Sequence, residues 1–167
     1  MQVIISDTSY LIDLKKVSLI EAFLLLPYEI TIPDILFFEE ITKFTSEEKS
    51  LLENGLRVKS ISGKGVRRAR KIKQENLKLT INECFAFVLA ESISGSILLT
   101  GDKQLKNLAD TSGIEYRGVL WIIEKIYEAN LASLHKLYSA LLEWQKVETV
   151  RLPNKDLNDF IERFKNL

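Results

Sequence analysis

The chain has one cysteine, Cys84, and one histidine, His135. Disulfides within the chain are therefore excluded, and a zinc site built from cysteine and histidine nearly so. Hydrolases that rely on a histidine base are left with one candidate, inside a leucine-rich segment that reads as structural or exposed. Long hydrophobic runs are missing too. Stretches such as 23–26 and 85–90 are far shorter than a bilayer requires. No basic region precedes an apolar stretch at the N-terminus, so there is no signal-peptide pattern and the default expectation is a cytoplasmic protein. Net charge is also absent, with 23 basic and 23 acidic residues. The three prolines and the few glycines form no linker tract. The 167 residues read as one domain with a sizeable core.

What is present alternates. Val3 to Ser6 is a buried-strand pattern that runs straight into Asp7-Thr8-Ser9, a helix start. A second apolar helix, Leu19 to Leu26, closes at Pro27. Glu29 to Ile32 reads as a strand, and Pro33-Asp34 opens a helix through Ile35, Leu36, Phe38 and Ile41. Ser46 to Asn54 reads as a helix and Leu56 to Ile61 as a half-exposed strand. Ser62 to Gly65 reads as a turn; its two glycines lack the spacing and terminal Lys-Ser/Thr of a phosphate loop. Thr80 and Glu83 stand at capping-box spacing before the next helix. Ile97 to Leu99 is a strand turning through Thr100-Gly101-Asp102 into a helix, and Ile114 to Tyr116 is a last strand. This order predicts an α/β fold: a three-layer α/β/α sandwich around a mostly parallel sheet of about four to five strands. Two more helices follow. The expected organisation is a main domain over 1–129 and a helical extension over 130–167 packed on it.

Charge is unevenly distributed. Between Arg57 and Lys78 lie Arg57, Lys59, Lys64, Arg67, Arg68, Arg70, Lys71, Lys73 and Lys78 against one acid, Glu75. Such a stripe is either a solvated helix face or a sequence-independent contact for a phosphate backbone. Four acids, far apart in sequence, occupy strand ends or helix starts: Asp7, Glu39 or Glu40, Glu83 and Asp102. In an open parallel sheet these positions converge on one rim. Taken singly, each acid could be a helix cap. Together they would repel by roughly 3 kcal/mol per pair at about 5 Å and a dielectric near 20, a cost that a hard divalent cation relieves. Such a cation suggests phosphate chemistry.

These segments resemble the PIN domain, the nuclease family that includes VapC-type toxins. The likeness runs from Val3 to about Ile123. It rests on the strand ending in Asp7-Thr8-Ser9, on Ile32-Pro33 with the helix to Ile41, on Leu79 to Cys84 with Ala86 and Ala90, and on Leu98 to Lys103 with Leu105 and Ala109. The family usually has aspartate where this chain has Glu83. Its second acid is commonly followed by an aliphatic residue, which favours Glu40 over Glu39. The resemblance implies an endoribonuclease dependent on Mg²⁺ or Mn²⁺. Asp7 and Asp102 would hold the principal metal, Glu40 and Glu83 would complete the site, and Thr100 would bond a metal water or the scissile phosphate. Lys64, Arg67, Arg68, Arg70 and Lys71 would guide the RNA. A VapC-like role adds an antitoxin protein as partner. The C-terminal helices would form a homodimer face or complete the core. A phosphatase of the haloacid-dehalogenase kind needs a second aspartate two residues after the first, where Ser9 stands. The remaining alternative is a PIN-like module, weakly active or inactive, that binds RNA or protein.

Overall fold

Two apolar triplets, Val-Ile-Ile and Ile-Leu-Leu, become the strands β1 (Val3–Ile5) and β4 (Ile97–Leu99), which sit side by side at the middle of the sheet. Central strands of a parallel sheet are covered on both faces, so they show no polar alternation. Beside β1 lies β2 (Glu29–Pro33), and the edges are β3 (Arg57–Lys59) and β5 (Glu115–Arg117), whose charged residues reach solvent. All five strands are parallel, in the order β3-β2-β1-β4-β5. The computed structural model describes residues 1–147 and 152–167.

The described helices are α1 (Thr8–Lys16), α2 (Ile20–Leu24), α3 (Asp34–Glu40), α4 (Ser46–Gly55), α5 (Gly63–Glu75), α6 (Ile81–Ser92), α7 (Lys103–Ser112), α8 (Val119–Glu128), α9 (Leu134–Gln145) and α10 (Asn154–Lys165). They cover the sheet as a three-layer α/β/α sandwich. Against β1, β2 and β4 lies α6, with α5 and α7 beside it; α2 packs with α1, α4 and α8. Eight consecutive residues of α6, Glu83 to Ala90, are buried. This is the expected state of a helix with sheet on one side and helices on the other.

The strands expected over Leu56 to Ile61 and Ile114 to Tyr116 are Arg57–Lys59 and Glu115–Arg117, and two further boundaries differ for local reasons. The helix expected over Leu19 to Leu26 is only Ile20–Leu24, because the Leu26 amide turns tightly back to the Phe23 carbonyl before Pro27. The residue before a proline is pushed out of the helical region. The turn expected at Ser62 to Gly65 is already the first turn of α5: Ser62 caps it, its Oγ accepting from the Gly65 amide at 3.1 Å. Gly65 serves packing there. A Cβ at this position would lie 2.6 Å from Ile61 Cγ2 and 3.2 Å from Val88 Cγ1, so the missing side chain lets α5 close on α6.

The C-terminal helices join the same apolar core. Leu137, Leu141, Trp144, Leu157 and Phe164 are buried in one cluster with Ile4, Ile5 and Phe23. Trp144 donates its indole N–H to the Asp13 carbonyl at 3.1 Å, tying α9 to α1. Phe164 meets Tyr127 edge-on and Arg163 pairs with Glu124 at 2.9 Å, tying α10 to α8. Among the described residues, no helix is long and apolar enough to cross a membrane.

Candidate functional site

The chain builds β1, β2 and β3 outward on one side of the sheet, then crosses back to lay β4 on the other side of β1. Helices leave β1 and β4 in different directions, which opens a crevice beyond their carboxyl ends. Ile5 pairs with Leu98, so two residues further on Asp7 comes level with Thr100. A cleft of about 370 Å³ opens there. Asp7, Thr8 and α1 residues Ser9, Tyr10, Ile12, Asp13 and Lys16 form one wall. Thr80, Asn82 and Glu83 at the start of α6 form another, with Thr100, Gly101 and Val119 completing the lining.

Asp7 ends β1 and caps α1. Its Oδ1 accepts from the Ser9 amide at 3.0 Å, from Ser9 Oγ and from the Tyr10 amide at 3.4 Å. Among the described residues Oδ2 accepts no hydrogen bond, so half of the carboxylate is committed to the fold and half is open. Burial raises the Asp7 pKa above the ordinary carboxylate value. The Ser9 and Tyr10 bonds pull it down, and the negative charge of Glu83 pushes it up again. Desolvation is the largest of these effects, so this carboxylate is ionised at a cost.

Glu83 is 5% exposed. The capping box is formed: Glu83 Oε2 accepts from the Thr80 amide at 2.7 Å and from Thr80 Oγ1 at 3.1 Å, while the Glu83 amide donates to Thr80 Oγ1 at 3.1 Å. Thr100 is buried, and its Oγ1 accepts from the Asp102 amide at 3.0 Å. Asp102 caps α7, its Oδ1 accepting from the Leu105 amide at 2.9 Å. It is the neighbour of Gly101 in the chain, but is not itself one of the lining residues.

Glu39 and Glu40 also lie outside the cleft lining. Glu39 is exposed. Glu40 turns inward, and its Oε2 is shielded from solvent and accepts no hydrogen bond, with the Lys43 ammonium as ion-pair partner. Of the expected acids, then, Asp7 and Glu83 share the cleft with Thr100, Asp102 stands beside it, and Glu39 and Glu40 are on α3. Among the described residues, no three or more Asp, Glu, His or Cys side chains gather as a ready-made metal cluster.

The basic stripe is partly neutralised. Arg68 makes a two-pronged contact with Glu91 at 3.3 and 3.1 Å, Lys71 faces Glu75 at 4.0 Å, and Lys73 donates to the Leu77 carbonyl at 2.6 Å. Lys64, Arg67 and Arg70 are exposed and make no ion pair among the described residues. His135 is exposed on α9, and Cys84 is buried, its thiol pushed up to about 11 by desolvation.

Two lining residues were not anticipated as site residues. Asp13 and Lys16 face each other at 3.8 Å. Burial pushes the Asp13 carboxyl up to about 6, against the pull of Lys16 and with a further push from Asp7. A signal for them existed: Ser9, Asp13 and Lys16 follow Asp7 at i, i+4 and i+7, one polar stripe on a helix whose other positions are largely apolar.

An all-parallel α/β domain with carboxylates buried at its switch point has the architecture of a nuclease-like fold. The chain belongs to the PIN domain family: the DUF3368 family model, described as a PIN domain, matches residues 3–166. PIN domains are generally nucleases that bind nucleic acids and typically use divalent metals. No curated protein matches the chain.

Proposed function

We propose that this protein is a metal-dependent endoribonuclease working in the cleft between α1 and the start of α6. The observation that carries the reading is the charge-coupled pair Asp7 and Glu83, which line one cleft at the switch point. A carboxylate held in a desolvated position beside a second one is stabilised by a cation. The donors at hand are oxygens, without histidine or thiolate, which suits Mg²⁺ or Mn²⁺ better than zinc. Asp7, through its open Oδ2, and Asp102 would hold the ion, with Glu83 and Glu40 completing the carboxylate set; the shielded Oε2 of Glu40 supports it over Glu39. Such an ion, when bound, lowers the pKa of its water and offsets charge on the phosphodiester oxygens.

The remaining roles fall to the chain's own groups. Ser9 and the first-turn amides of α1 fix Asp7 through Oδ1, which leaves Oδ2 uncommitted among the described residues. Thr100 fixes the Asp102 backbone from inside. Lys64, Arg67 and Arg70, with Arg68 and Lys71 as partly occupied neighbours, give the RNA backbone a sequence-independent contact. In a toxin–antitoxin pair, the same acidic cleft would accept a basic side chain from the antitoxin.

A second reading has its own support. Glu83 Oε2 is engaged by Thr80, and no compact acid cluster stands ready among the described residues. Both features would suit a module that binds RNA without cutting it. One experiment separates the two: purified protein and its Asp7→Asn variant are incubated with single-stranded and structured RNAs in Mn²⁺, Mg²⁺ or EDTA. Cleavage that requires metal and disappears in Asp7→Asn establishes the nuclease. Metal-independent RNA binding without cleavage by the folded protein would favour the module.

A further inference from the structure

We infer that Lys16 anchors an RNA phosphate inside the cleft, an inference that rests on the ribonuclease reading above. The cleft is lined by three carboxyls, those of Asp7, Asp13 and Glu83, and Lys16 is its one basic lining side chain among the described residues. An RNA strand entering such a space meets electrostatic repulsion between its phosphates and these carboxylates. A divalent ion offsets two charges and leaves the rest. A lysine on the wall supplies a further positive charge where the polyanion lies.

The local geometry suits that task. Lys16 ends α1, the helix whose first turn holds Asp7, so a rigid element fixes the separation of anchor and active carboxylate. The C-terminal end of a helix favours a cation. Asp13 stands one turn earlier, and its Oδ1 lies 3.8 Å from Lys16 Nζ. At that separation the two groups form an ion pair on one face of α1, and Asp13 helps to orient the ammonium along the cleft wall. The Lys16 side chain is 41% exposed, so its head reaches solvent at the mouth while its stem lines the wall. The stripe on α5 is a separate feature, borne by another helix and absent from the cleft lining.

The test compares wild type, Lys16→Ala and Lys16→Arg in steady-state cleavage of a fluorescein-labelled single-stranded oligoribonucleotide in Mn²⁺. The same lysine changes, placed in the Asp7→Asn background, are followed by fluorescence anisotropy in EDTA. Lys16→Ala is expected to raise KM roughly tenfold, the value of one charge-assisted contact, with kcat changed less than about threefold. The slope of log affinity against log salt should fall by about 0.7, one phosphate contact on a single strand. Lys16→Arg should recover most of the loss. Unchanged KM and salt slope in a folded Lys16→Ala protein would overturn the inference, as would Lys16→Arg being no better than alanine. If wild type binds the oligonucleotide but never cleaves it, the nuclease reading fails, while the anisotropy slopes still decide whether Lys16 holds a phosphate.

Discussion

Replacing Asp13 by asparagine should stabilise the metal-free protein at pH 8. Its carboxyl is raised from 3.8 to about 6, chiefly by burial. The native state therefore holds this proton more tightly than the unfolded chain does. Stability from the protonated form is fully present below pH 3.8, is lost as pH rises through about 6, and stays lost above it. A shift of about two units corresponds to about 3 kcal/mol at most. Because the carboxyl is incompletely buried and faces a half-exposed lysine, about 1–2 kcal/mol is the expected gain. Asparagine keeps the size and removes the charge. In a chain of this length each kcal/mol moves Tm by about 2–4 °C, so Asp13→Asn should melt about 3–6 °C higher at pH 8. The gap should close toward pH 4. The assay is thermal unfolding followed by circular dichroism in EDTA, from pH 4 to pH 8, since a trace of divalent metal would mask the charge. A variant less stable than wild type at pH 8, or a gap that does not change with pH, would refute the reasoning.

Asp7→Asn should keep the α1 cap, because asparagine accepts at the same oxygen, whereas Asp7→Ala should melt lower than Asp7→Asn by the equivalent of about 1 kcal/mol. Mn²⁺ at about 100 times its Kd should stabilise wild type by about 2.7 kcal/mol and leave Asp7→Asn unmoved in the same melts; equal shifts in both would remove Asp7 from the metal site. Trp144→Phe should cost about 1 kcal/mol in chemical denaturation through its lost bond to the Asp13 carbonyl, and Trp144→Ala about 3–5 kcal/mol through the cavity. Gly65→Ala should destabilise by about 1–3 kcal/mol despite the better helix propensity of alanine, since its Cβ would meet Ile61 and Val88; a stabilised variant would show that α5 can step back from α6.

How much of this was legible in the sequence follows from the range of each interaction. Asp7 and Asp102 were legible as helix starts because an apolar strand ends shortly before each, and the Thr80–Glu83 box because its partners are three residues apart. The edge strands announced themselves by charged residues between apolar ones. Long-range pairings were silent. Nothing near Arg68 reveals that Glu91, 23 residues on, occupies its guanidinium, so five basic residues looked equivalent where three are exposed and make no ion pair among the described residues. Glu39 and Glu40 could not be separated by spacing, because which of them turns inward depends on how α3 seats on its neighbours. Lys15 and Lys16 are a basic pair in the last turn of α1, a local role that says nothing of a cleft. Only the approach of α6 to α1 makes Lys16 part of a cleft wall.

The cleft also explains why its acids resist being read one at a time. Asp7, Glu83 and Asp102 are each helix caps, and each cap gives a sufficient local reason for the residue. What caps alone do not account for is the meeting of Asp7 and Glu83 in one cleft. Asp7 is a desolvated carboxylate whose Oδ1 satisfies α1, and Glu83 nearby is a like charge that makes its ionisation harder. Partial burial of Asp13 on the same wall adds a third carboxyl whose ionisation folding makes harder. A cap can be had from serine or threonine, with no charge to desolvate. Carboxylates held together at the switch point of the sheet lower the stability of the metal-free protein. That cost has a physical counterpart if the space between them receives a cation and the phosphate it brings.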